Sequence, residues 1–125
     1  MIRTLVYGVL AFALQLSAAE SAGTWEGSLE ITGPNGQTQS EGCYMRLERS
    51  GGRITGAVGP DRSVQWKIQN GKFEGTRITF EARPPEGGRL MFDLRLAGDH
   101  VKGEARGENR GLTFHAKVNL TRTNH

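Results

Sequence analysis

The chain has 125 residues, of which 16 are Lys or Arg and 13 are Asp or Glu, giving a formal net charge of +3. Because the two signs are interleaved along the chain, they do not form the basic patch that binds nucleic acid, and we expect no nucleic-acid partner. The single cysteine, Cys43, excludes an internal disulfide, so the core must hold the fold together.

The first 19 residues have the pattern of a signal peptide. Arg3 provides a positive charge, an apolar run follows over residues 5–16, and small residues at 17–19 offer a cleavage site before Glu20. The run is shorter than the roughly 20 apolar residues of a spanning helix, although an uncleaved N-terminal anchor is the alternative. We therefore expect a signal peptide at residues 1–19 and one domain at residues 20–125, exported to the periplasm or the extracellular space of a bacterium.

After the signal peptide, apolar and polar residues alternate with a period of two, which is typical of strands with one buried face. The apolar positions, run by run, are Trp25, Leu29 and Ile31; Cys43, Met45 and Leu47; Ile54 and Val58; Val64, Trp66 and Ile68; Phe73; Ile78, Phe80 and Ala82; Leu90, Phe92, Leu94 and Leu96; Val101; and Leu112, Phe114, Ala116, Val118 and Leu120. Short stretches of Gly, Pro, Asn and Asp separate the runs. Such short connections predict antiparallel hairpins, and we count eight strands.

A sheet with one apolar face and no helix to cover it must bury that face in another way. It closes on itself as a barrel or folds as a sandwich, and consecutive hairpins favour the barrel. Glycines inside the strands, as in the related stretches at residues 52–56 and 71–75, permit the bends that closure requires. The predicted fold is all-β: a single eight-stranded antiparallel meander barrel.

One connection allows two interpretations. Asn70-Gly71 is typical of a two-residue hairpin turn. However, residues 74–76 also have the composition of a turn, and two turns would leave too short a strand around Phe73. We therefore favour a bulge at Gly71 and a turn at residues 74–76.

The predicted interior is lined by large apolar side chains. The interior of an eight-stranded barrel is just wide enough to be filled by side chains or to hold one small ligand. We expect it to be largely filled, with any cavity small, apolar and near a barrel mouth. The candidate ligand contacts are Trp66, Met45, Phe80, Phe92 and Phe114. Cys43 lies on the apolar face and is expected to be a buried side chain rather than a reactive thiol.

The stretch Gly23-Thr24-Trp25 resembles the G-x-W motif that opens the first strand of the calycins, the group of lipocalin, fatty-acid-binding and avidin-type barrels. In lipocalins this tryptophan closes one barrel end beneath an arginine of the last strand. Arg122 has the inward phase of Leu120, so the resemblance implies that Trp25 and Arg122 plug one end. The chain is also similar to small exported bacterial barrels of unsettled function.

No catalytic constellation emerges from the sequence. His100, His115 and His125 have no acid or cysteine on the same face at strand spacing, and no set of zinc ligands can be assembled. We therefore expect no enzyme, no metal and no cofactor. The outward positions are charged, the opposite of an outer-membrane barrel, so the mature chain is not expected to span a membrane.

Two functions remain. The first is a non-catalytic structural or protein-interaction domain that uses its outer surface, with the outward-facing Tyr44 and Met91 as a candidate contact patch. The alternative is a carrier for a small apolar ligand inside the barrel. The sequence leaves the ligand, the protein partner and the oligomeric state open.

Overall fold

The computed structural model describes residues 22–123, and the predicted signal peptide at residues 1–19 lies outside them. The strands are β1 (Gly23–Thr32), β2 (Thr38–Ser50), β3 (Arg53–Gly59), β4 (Trp66–Glu74), β5 (Arg77–Ala82), β6 (Arg89–Ala97), β7 (His100–Asn109) and β8 (Leu112–Arg122). Each strand pairs antiparallel with the next, and β8 pairs with β1, which closes the barrel. The predicted eight-stranded meander barrel is confirmed. Within residues 22–123, no helix could cross a membrane.

The two ends of the barrel differ in their connections. Tight turns at residues 51–52, 75–76 and 98–99 lie at one end, together with the start of β1 and the end of β8. We call this the closed end. Longer connections at residues 33–37, 60–65 and 83–88, and the turn at 110–111, lie at the other end, which we call the open end.

The packing of the interior is uneven along the barrel axis. The largest fully buried side chains all lie in the half nearer the closed end, and they are Trp25, Met45, Leu47, Ile54, Ile78, Leu94, Val101 and Leu120. Most of the inward apolar side chains that remain half-buried lie toward the open end, and they are Leu29, Ile31, Trp66, Leu90 and Phe114. The barrel is therefore filled at one end and loosens toward the other.

Two residues predicted to face inward are exposed instead. Val64 is 43% exposed because it precedes β4 and belongs to a turn. There the Asp61 carboxylate accepts hydrogen bonds from the backbone N–H groups of Ser63 and Val64, at 2.8 and 3.0 Å. Leu112 is 61% exposed because it begins β8, whose pairing with β1 starts only at His115, so it projects beyond the barrel wall.

The stretch Asn70-Gly71 is a bulge inside β4. Asn70 has a positive φ of 54°, and the register of β4 shifts at this point against both β3 and β5, with one extra residue in β4. The strand then continues to Glu74, and the turn follows at residues 75–76. The bulge interpretation is therefore correct, and a bulge of this kind increases the local bend that closure needs.

Candidate functional site

Arg122 stacks on Trp25 at the closed end. The guanidinium carbon lies 4.2 Å from the centre of the indole ring, and Trp25 is completely buried. The Nη1 atom of Arg122 donates a hydrogen bond to the carbonyl of Ala22 at 2.7 Å, and its Nε lies 3.5 Å from the Asp99 carboxylate. The predicted stack is confirmed. Among residues 22–123, buried side chains fill this end of the barrel.

A cavity of about 200 Å³ lies at the open end. Three aromatic side chains, Trp66, Phe92 and Phe114, form part of its wall. Aliphatic side chains complete the apolar lining, and they are Leu29, Ile31, Val58 and Leu90. These residues lie at the strand ends nearest the open end. Trp66 is the first residue of β4, and Leu29 and Ile31 are among the last residues of β1. The cavity thus occupies the part of the interior that the core leaves unfilled.

The Phe114 ring lies flat on a glycine of the neighbouring strand. Gly107 and Phe114 face each other across β7 and β8, and a Cβ atom added at position 107 would overlap the ring. Only glycine leaves room for the ring against the wall, an arrangement known for aromatic residues that cover strand glycines. This contact sets the position of one aromatic wall of the cavity.

Three of the five predicted ligand contacts, Trp66, Phe92 and Phe114, line the cavity, and two do not. Met45 is fully buried and pairs with Trp25 in the closed half, out of reach of the cavity. Phe80 is 3% exposed, and its ring stacks on that of its cross-strand partner Phe92 with centres 4.7 Å apart, so it packs beside a lining residue without lining the cavity itself.

Sequence reasoning placed several lining residues in the core without assigning them to a site. The alternating pattern predicts that Leu29, Ile31 and Leu90 face inward, but it does not distinguish an inward residue at a strand end from one in the middle. Their position at the strand ends farthest from the G-x-W motif is the feature of the sequence that would have identified them as cavity-lining residues.

Cys43 is a buried free thiol beside the cavity. It is 2% exposed and lines the cavity with Leu29 and Val58. Burial raises the pKa of this thiol to about 12, because the thiolate would lose its hydration. The expectation that Cys43 is a buried side chain is confirmed, and with this pKa the thiol is neutral near pH 7.

Charged side chains surround the mouth of the cavity. They are Glu41, Glu86, Arg89 and Glu108. Arg89 approaches two carboxylates, Glu81 at 3.9 Å and Glu108 at 3.8 Å. The apolar cavity therefore has a polar rim, which is the usual construction of a small-molecule site.

Tyr44 and Met91 do not form one contact patch. Tyr44 lies on β2 and Met91 on β6, four strands apart in either direction around the closed barrel. Tyr44 is half-buried with the Arg62 guanidinium 5.3 Å from its ring centre. Met91 is 39% exposed and lines a shallow outer groove beside the Arg77–Asp93 ion pair. The combined patch is wrong because barrel closure places the two strands on opposite sides.

Across the residues that the structure describes, no three His, Cys, Asp or Glu side chains converge on a point where a metal ion would sit. His100 and His115 are exposed, and His125 lies outside the described residues. No protein-family model, no curated protein and no solved structure matches this chain.

Proposed function

We propose that this protein is an exported, non-catalytic binding protein that holds a small apolar molecule in the open-end cavity. The observation that carries the proposal is the aromatic-lined cavity of about 200 Å³ opposite the packed Trp25–Arg122 end. Calycin barrels are likewise closed at one end and hollow at the other. Because of this shared arrangement, we propose that the chain is related to the calycins.

The cavity size restricts the ligand. An apolar cavity of about 150 Å³ in another protein stays dry and binds benzene. The present cavity of about 200 Å³ is thus suited to a single ring or an alkyl chain of about six carbons. Pockets for drug-sized molecules are usually 300–1,000 Å³, so a whole long-chain fatty acid or a retinoid is too large.

The expected affinity is modest. Burying about six methylene groups contributes roughly 5 kcal/mol at about 0.8 kcal/mol each, before the cost of association. This gross value sets the upper limit of affinity, and because association costs part of it, we expect a dissociation constant in the millimolar range or weaker. Binding should therefore be measured by a method suited to weak complexes.

A structural or protein-interaction role is the second candidate. The fully packed closed half and the groove around Met91 favour it, because neither takes part in ligand binding. This role predicts that the open-end cavity is incidental and that filling it leaves function unchanged.

The two tryptophans provide a built-in comparison for a test. Trp66 lines the cavity and Trp25 is buried at the other end. Titrating ¹⁵N-labelled protein with hexan-1-ol should shift the indole N–H signal of Trp66 and leave that of Trp25 in place. If Trp66 does not respond at tens of millimolar hexan-1-ol, the binding proposal fails.

A matched pair of variants tests whether the cavity itself is the site. Leu90→Trp fills the cavity, whereas Leu96→Trp introduces the same change on the same face of β6 near the closed end. We expect the first to abolish the response of Trp66 and the second to preserve it. Equal binding by both variants would place the ligand elsewhere.

A further inference from the structure

We infer that the ligand of the open-end cavity carries a positively charged amino group, which Glu41 holds at the rim. This inference rests on the proposed function and specifies its ligand class: a small amphiphilic amine, with the apolar part in the cavity and the ammonium group at the mouth. The argument uses the position of Glu41, the charges around the mouth and the lining of the cavity.

Glu41 interrupts the apolar side of β2 at the mouth. Cys43, Met45 and Leu47 face inward on this strand, and Glu41 is the next residue of the same parity toward the open end. It stands opposite Leu29 of β1, which lines the same cavity. The inner wall of the barrel thus ends in a carboxylate where a ligand head group would emerge into solvent.

A neighbouring side chain orients this carboxylate. Gln39, the next inward residue along β2, donates a hydrogen bond from its Nε2 to the Oε1 of Glu41 at 3.2 Å. The contact leaves the second carboxylate oxygen available. Within residues 22–123, Glu41 forms no ion pair.

The mouth is acidic although the chain is basic. Three carboxylates, of Glu41, Glu86 and Glu108, line it with one guanidinium, that of Arg89, for a formal charge of −2, whereas the whole chain has a formal charge of +3. Arg89 stands on the outward parity of β6, opposite Glu108 on the outward parity of β7, and it also approaches Glu81. The charges of Arg89 and Glu108 offset each other, so the formal charge of −2 rests on Glu41 and Glu86. Because Arg89 faces away from the interior, it is not positioned to receive an anionic head group.

An aromatic side chain at the open end also favours a cationic head group. The face of an aromatic ring attracts an ammonium group, tryptophan most strongly, and Trp66, which begins β4 at the open end, lines this cavity. A carboxylate ligand would instead meet Glu41 as a like charge. Charge complementarity and the aromatic wall thus favour the same ligand class.

Three ligands with the same six-carbon chain test the inference: hexylamine, hexan-1-ol and hexanoate. We expect hexylamine to bind about 3- to 5-fold more tightly than hexan-1-ol, and hexanoate to bind more weakly by a similar factor, the upper part of the range for exposed charge pairs. The difference should shrink when NaCl is raised from 20 mM to 500 mM, because salt screens exposed charges. The Trp66 indole signal at pH 7 reports binding of each ligand.

Variants assign the preference to Glu41. Glu41→Gln should remove most of the preference for hexylamine over hexan-1-ol, and leave the affinity for hexan-1-ol unchanged. Glu30→Gln is the matched control, since Glu30 is an exposed outward residue of β1 and its loss changes the net charge equally. Glu86→Gln is a second rim variant and should reduce the preference in part.

The outcomes separate this inference from the proposed function. Equal binding of the three ligands, or tightest binding of hexanoate, overturns the amine inference and leaves the apolar site standing. An unchanged preference in Glu41→Gln also overturns it. If none of the three ligands shifts Trp66, the proposed function itself fails and the inference fails with it.

Discussion

Replacing Arg122 with alanine tests what closes the barrel. The substitution removes the guanidinium from its position 4.2 Å from the Trp25 ring centre and deletes the 2.7 Å hydrogen bond to the Ala22 carbonyl. It also uncovers one face of an indole that is completely buried. The backbone of Arg122 keeps its own hydrogen bond to Asp99, at 2.8 Å, so β8 should remain in register.

The magnitude follows from these contacts. A cation over an indole contributes about 0.5–2 kcal/mol, the upper part of the range applying where water is excluded. The charged hydrogen bond to the Ala22 carbonyl and the packing of the arginine stem add about 1 kcal/mol, because water replaces only part of the lost hydrogen bond in the variant. We expect the free energy of unfolding to fall by about 2 kcal/mol, which for a domain of this size lowers Tm by roughly 8–16 °C.

Urea unfolding and thermal melting measure this loss. Arg122→Met keeps most of the stem but removes the charge, so it should lose roughly half as much stability. Arg95→Ala is the matched control, because Arg95 is exposed on the outer face of β6, and its effect should stay within about 0.5 kcal/mol. If Arg122→Ala is as mild as this control, the stack does not stabilise the closed end.

Two further predictions concern the cavity wall. The unfolded chain ionises Cys43 from about pH 9, whereas burial raises the folded pKa to about 12, so the unfolded state binds fewer protons and stability falls as the pH rises above 9. Between pH 7 and pH 10, the free energy of unfolding measured in urea should fall by about 1.4 kcal/mol more in the wild type than in Cys43→Ala. Equal losses in the two proteins would contradict this prediction. Gly107→Ala should displace the Phe114 ring and weaken hexan-1-ol binding several-fold, whereas Gly52→Ala, where an added Cβ meets only an ordinary contact, should not. An unchanged affinity in the first variant would show that the ring does not form the wall.

The alternating pattern was sufficient for the architecture. Each strand carries its own apolar face, and the short connections allow only neighbouring strands to pair, so the order of the eight strands follows from local information. The bulge at Asn70-Gly71 could be predicted for the same reason, since the change of parity around Phe73 is visible in the sequence.

The pattern was weakest at the strand ends. Val64 continues the apolar alternation of β4, yet its backbone N–H donates a hydrogen bond to the Asp61 carboxylate, which holds it in a turn. Leu112 has the inward parity of β8 but no wall opposite it. In both cases the alternation of apolar and polar residues continues beyond the last residue of the barrel wall. Only the tertiary structure shows where the wall ends.

By itself, the sequence determined the fold class, the strand order and the buried cysteine, because each depends on periodicity or turn residues. The pairing of Trp25 with Arg122 was implied by the resemblance of the first strand to the G-x-W motif. Only the tertiary structure decided where the interior is hollow and which residues share a side of the barrel. The position of the cavity depends on the total volume of the side chains that all eight strands contribute at one level of the barrel axis, and barrel closure determines which outward residues are neighbours. Both properties depend on residues far apart in the chain, so no local sequence pattern predicts them.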